Sequence, residues 1–155
     1  MVSEEINQSN IIDIDLSQTQ QKTIRIDGDD SKTIKINLSD LNVMSRVKEV
    51  YPKMMEMAQK ASLAQVESEE ENIDNLVSML NDIDNDMRGF TDYIFNADIC
   101  SQAASDGTMY DLFNGRFRFE IIIESLLSLY TDNINLEFRK MNARLKNHGK
   151  KYSKK

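Results

Sequence analysis

Few residues in this chain have the type and spacing to do chemistry, and an acidic run is the first of them. Asp82-Ile83-Asp84-Asn85-Asp86 sets three carboxylates at alternate positions, as the opening of a calcium loop does. Counted from Asp82, the sixth and twelfth positions are Met87 and Tyr93. A calcium loop requires a glycine for its sharp turn and a bidentate glutamate at those places. The run also lies within a helical apolar pattern, so a solvated helix face is expected. His148 is the single histidine and Cys100 the single cysteine, and neither has a metal-ligand or redox partner at useful spacing. A buried, inert thiol is the expectation for Cys100. Phosphate-cradling glycine loops and the nucleophile elbow are missing, and carboxylates are too many for one pair to stand out. The sequence nominates no catalytic, cofactor-binding or metal-binding residue, so the expectation is a protein that is not an enzyme and needs no cofactor.

Charge is more informative than motif. The net charge is -7, yet Arg139, Lys140, Arg144, Lys146, Lys150, Lys151, Lys154 and Lys155 put +8 on the last seventeen residues and leave -15 on the rest. An acidic body with a basic end suits head-to-tail association or an acidic protein partner, and argues against nucleic acid over most of the surface. With 155 residues, 40% hydrophobic and 29% charged, one globular domain is expected. The opening MVSEEINQSN has neither the basic region nor the apolar run of a secretory signal, and no membrane-spanning segment is expected.

Three zones are expected: a flexible segment over 1–21, a single helical domain with an N-terminal β-hairpin over 22–147, and a basic tail over 148–155. Within the first, Ile12, Ile14 and Leu16 alternate with Asp13 and Asp15 and predict a short strand. Thr23 to Ile26 and Thr33 to Leu38 are alternating β-rich runs around Asp27-Gly28, which predicts a hairpin whose apolar face must rest on helices. A first helix follows, capped by Ser39 or Asp40 and carrying Leu41, Met44, Val47, Met54, Ala58 and Ala61 at helical spacing, with a bend expected at Pro52. After an acidic link, Ile73, Leu76, Leu80, Ile83, Met87, Phe90 and Ile94 step by three and four, the coiled-coil period, and predict a second helix with a narrow seam. Residues 96–115 read as a loop whose Met109, Tyr110, Leu112 and Phe113 fold back on the helices. A third helix runs from about Phe117 to Asn147 on a stripe of Phe119, Ile122, Leu126, Tyr130, Ile134, Phe138, Met141 and Leu145. At roughly 45 Å it exceeds a compact domain of this size, so its basic end should project. The expected fold class is mainly α, with a minor α+β character: an N-terminal β-hairpin followed by a bundle of three long helices.

Nine methionines, several crowded on the first helix, suit a surface that adapts to helical partners. Met54, Met55 and Met57, the seam residues Ile83, Met87 and Phe90, and the tail residues Lys150 and Lys151 are the expected partner-binding positions. Self-association into a homo-oligomer is also expected.

The string TDYIFNADIC at 91–100, SDGTMYD at 105–111, FRFEII at 117–122 and the lysine-rich residues 146–155, with the hairpin beginning TIRIDGDD and the run SDLNVMSRVKEVY, resemble small tail assembly chaperones of tailed bacteriophages of Gram-positive hosts. The resemblance spans roughly residues 22–155. It implies a protein of the host bacterial cytoplasm that binds the long helical tape measure protein during tail morphogenesis by helix-groove contacts. Such proteins leave as the tail tube protein polymerises, and are absent from the mature virion. The family carries no catalytic residues to transfer. The alternative reading is a small nucleic-acid-associated regulatory protein that uses the basic C-terminal tail.

Overall fold

The computed structural model describes residues 10–16, 21–67 and 72–153, with the side chains of 148 and 150–153 left aside. The fold is mainly α with a minor β part. Strands β1 (Gln21–Ile26) and β2 (Asp29–Asn37) form an antiparallel hairpin. Its turn is Asp27-Gly28, at φ 52° and 71°, the left-handed pair that a two-residue turn between twisted strands requires. Pairing of Ile24 with Ile34 fixes the register, the ladder shifts between Arg25 and Ile26, and residues 29–32, which lie between the two runs in the sequence, belong to β2.

Helix α1 (Val43–Glu67) and helix α2 (Ile73–Phe95) are antiparallel neighbours. Arg46 Nε donates to the Ile94 carbonyl at 2.7 Å, and the Tyr93 hydroxyl donates to Glu49 at 2.7 Å. The first contact satisfies one of the carbonyls that a helix end leaves free, next to the left-handed Asn96 that stops α2. Ala58 and Ala61 are fully buried on α1, and their small side chains let the helices approach closely. Pro52 lies inside α1 without dividing it. The proline is exposed, so its ring costs no packing, and one missing backbone donor is tolerated in a helix of 25 residues.

The chain then makes a short helix α3 (Cys100–Ala103) and a small ribbon of β3 (Leu112–Phe113) and β4 (Arg116–Phe117) before helix α4 (Arg118–Ser153). The core collects Ile34 and Ile36 from β2, Leu38 just after it, Met54 from α1, Met87, Ile94 and Phe95 from α2, and Phe119, Ile123, Leu126 and Tyr130 from α4. Fully burying each large apolar side chain contributes about 2 kcal/mol. No helix of the described residues is long and apolar enough to cross a membrane.

Two expectations are corrected. Residues 12–16 form no strand, and Ile12, Ile14 and Leu16 are exposed, because among the described residues no other strand pairs with them. In the connecting loop Met109 and Tyr110 are buried as expected, but Leu112 and Phe113 sit on the exposed ribbon.

That loop is held by ionic side chains. Asp84 accepts the Met109 backbone N–H at 2.8 Å and pairs with Arg88, whose guanidinium also donates to the Ala104 and Gly107 carbonyls. Asp92 accepts from the backbone of Ile99 and Cys100. Arg118 donates to the carbonyls of Thr108 and Ala103 and pairs with Asp106 and Asp111. Asp84 is therefore partly buried structural glue, in contrast to its exposed neighbours Asp82 and Asp86, which are the solvated residues expected. At Gly107 an added Cβ would press on the far ends of the Asp111 and Arg118 side chains and displace their ion pair.

Asp84→Ala leaves the Met109 N–H and the Arg88 guanidinium without their partner, and should lower unfolding stability by about 1–3 kcal/mol, read from the urea midpoint at constant m-value. Tyr130 tests the opposite sign. Its hydroxyl is buried without a hydrogen-bond partner among the described residues, and burial pushes its pKa up to about 12. Tyr130→Phe should raise stability by about 1 kcal/mol, because it removes a desolvated polar group and keeps the ring that meets Phe95 at 5.9 Å; a fall in melting temperature would contradict this.

Candidate protein-binding surface

Tyr130 marks the level at which α4 leaves the body. Asn133 donates to the Leu38 carbonyl at 3.2 Å and ties the helix to the end of β2, and every described side chain from Asn135 onward is exposed. The apolar spacing does not stop there. Ile134, Phe138, Met141 and Leu145 continue at steps of four, three and four, and Phe138 and Leu145 are 53% and 51% exposed. Such steps keep one stripe along the helix, the geometry that packs against another helix. Arg139, Lys140, Arg144 and Lys146 flank the stripe and are exposed. The projecting half of α4 is thus a basic amphipathic rod. At its root, Leu38, Leu41, Ile134, Phe138 and Met141 line a cavity of about 290 Å³ between the rod and the start of α1.

A second apolar area lies at the far end of the α1–α2 pair, where Leu63, Val66, Ile73 and Val77 are exposed. Here the second-helix seam outruns its cover: Ile83, Met87 and Ile94 are buried, while Ile73 at the other end is open. Glu67 and Asp74 border the area and give it negative charge.

The structure distributes the positions expected to bind a partner rather than gathering them. Met54, Ile83 and Met87 are sealed in the core and present nothing to a second protein, because α2 and α4 cover the face of α1 and the seam on which they lie. Met55, Met57 and Phe90 are half-buried against that core. The Lys53 ammonium sits 5.6 Å from the Phe90 ring centre, a cation–π contact that occupies the ring from within the chain. Lys150 and Lys151 lie on helical backbone at the end of α4, and their side chains fall outside the described residues. The exposed row of Phe138, Met141 and Leu145 was in the predicted third-helix stripe but not among the expected contacts. The signal for it was length: a helix longer than its domain must expose part of its stripe.

Cys100 is buried, and its Sγ lies 3.6 Å from the Arg88 carbonyl. Burial, reinforced by the Asp92 carboxylate, pushes the thiol far above its ordinary range and disfavours the nucleophilic thiolate. Burial alone would also raise Asp111, but hydrogen bonds from Thr108 and Arg118 outweigh it and hold that carboxyl below its usual range. No group of three or more His, Cys, Asp or Glu side chains among the described residues is placed to hold a metal ion. Compared with protein-family models, curated proteins and solved structures, the chain matches none.

Native Cys100 should react with iodoacetamide at neutral pH at least a hundredfold more slowly than the same thiol in 8 M urea, followed by intact mass. Equal rates would mean that the α2–α3 corner opens freely.

Proposed function

We propose that this protein is a binding module for a long helical client, and that its client is the tape measure protein of a tailed phage, which it chaperones during tail assembly. The observation that carries the first part is the continuation of one apolar stripe past the core, through Phe138, Met141 and Leu145 on the projecting half of α4. A stripe of this spacing is covered by a second helix laid alongside it, and the cavity at its root gives that helix a place to begin. The second part rests on the resemblance of residues 22–155 to small tail assembly chaperones. Repeated weak contacts along an extended client add by multivalency, so many copies can coat one chain and still be displaced as the tail tube protein closes around it. On this reading the protein acts in the host bacterial cytoplasm and is absent from the mature virion.

A second reading, a small nucleic-acid-associated regulator, draws on the exposed Arg139, Lys140, Arg144 and Lys146. Phosphate contacts by such residues would give an affinity that falls steeply with salt.

The two readings separate in one set of measurements. Co-expression with the tape measure protein of the same genome should raise that protein's soluble yield and give a co-purifying complex. Phe138→Asp together with Leu145→Asp should weaken the complex at least tenfold, since each buried apolar side chain is worth about 1.5–3 kcal/mol and each tenfold about 1.4. Leu145→Asp alone should keep the melting temperature, because Leu145 lies outside the cavity that Phe138 lines with Leu38 and Leu41, and so separates lost binding from lost packing. Complex formation unaffected by the double substitution, together with salt-dependent DNA or RNA binding lost on deleting residues 146–155, would favour the second reading.

A further inference from the structure

The far end of the α1–α2 pair and the rod of α4 point in opposite directions and carry opposite charge. The rings of Tyr51 and Phe119 lie 5.5 Å apart, which sets the start of α4 beside Tyr51 on α1. Phe95 meets Tyr130 at 5.9 Å and Asn133 donates to the Leu38 carbonyl, which sets the middle of α4 beside the end of α2 and the entry to α1. Helix α4 therefore runs against the direction of α1, and its rod continues away from the far end of the pair. That far end extends about 24 Å from Tyr51 to Glu67, and α4 begins too close to the entry of α1 to cover it. Leu63, Val66, Ile73 and Val77 are exposed there, Val66 at 83%. Glu67, Asp74 and Asp82 are exposed on it, and no Lys or Arg occurs in residues 61–87. The rod is the converse. Arg139, Arg144 and Lys146 are exposed on it, and beyond Glu137, which pairs with Lys140 within the helix, the sequence has no Asp or Glu.

We infer that the rod of one copy docks along the far end of the α1–α2 pair of a second copy, so that the chain associates head to tail. Within one chain the two patches face apart and cannot meet. Two copies stacked in the same orientation bring the rod of the first onto the helix pair of the second. The apolar part of the rod, Ile134 to Leu145, is about 17 Å long and fits within the 24 Å or so that the pair leaves uncovered. It lies there as a third helix, with its apolar stripe over Val66 and Ile73 and its cations beside Glu67 and Asp74. Charge selects this contact over either symmetric one, since two basic rods repel each other and so do two acidic ends. Each contact leaves a free rod on one copy and a free end on the other, so association continues beyond two copies. The docked copy occupies the stripe that a client would cover, so copy and client compete for it.

Analytical ultracentrifugation of the full chain, with no client present, tests the contact. The average mass should rise with concentration between about 10 and 500 μM at low salt, and fall back toward the monomer at about 0.5 M salt, where exposed charges are screened within a few ångströms. Leu145→Asp blocks the rod, and Val66→Lys with Val77→Lys blocks the far end. All three side chains are exposed, so both variants should keep the parent's melting temperature. Each variant alone should associate at least tenfold more weakly than the parent. Mixed in equal amounts they should form a dimer of one copy each and nothing larger, because such a pair holds one intact rod and one intact end. A parent that stays monomeric overturns the inference, as does association indifferent to salt. So does either variant associating as strongly as the parent, the mark of a symmetric contact, or a mixture that fails to dimerise. Each of these results would leave the client reading standing, since no client takes part.

Discussion

The apolar core of this protein is shorter than the helices that build it, and most of its surface chemistry follows from that mismatch. Side chains from β2, α1, α2 and α4 meet at one end of the molecule, where the loop between α2 and α4 closes over them. Helix α4 is 36 residues, roughly 54 Å at 1.5 Å per residue, and Tyr130 is the last buried residue among its described side chains. The α1–α2 pair overshoots the core in its own direction, to Leu63 and Ile73. Each overshoot carries apolar side chains into water.

The closing loop is what keeps the core confined to that end. Its backbone is fastened by Asp84, Arg88 and Asp92 from one face of α2 and by Arg118 from the first turn of α4. These bonds are partly buried and charge-assisted, and they satisfy backbone groups that a loop packed on a core would otherwise leave unpaired. They hold α4 at a defined angle to α2, so the rod beyond Tyr130 starts from a fixed base.

Much of this was legible in the residues, and what was not has a physical cause. The hairpin announced itself by Asp27-Gly28 between alternating runs, and the three helices by their spacing. Periodicity names the apolar face of a helix and is silent about which part of that face is covered. Met54, Ile83 and Met87 therefore read as available contacts although α4 and the helix pair seal them, and Phe138 and Leu145 read as ordinary continuation of a core stripe. Asp84 was indistinguishable from Asp82 and Asp86 in the acidic run, because its partner Met109 is 25 residues away along the chain. The alternation at residues 12–16 was a true strand pattern without a paired strand, since β-structure depends on a neighbour that local sequence does not supply.

The fixed base of α4 has a mechanical consequence. A hydrogen-bonded helix is stiff along its axis, and about 23 residues, roughly 35 Å, extend past the anchoring ring of Tyr130. Tilting that lever by about 10° at its pivot sweeps the tip through about 6 Å, more than one helical turn of a neighbouring rod. Small adjustments around Tyr130 and Phe95 thus become displacements of several ångströms toward the tip of the arm, without any loss of its own secondary structure.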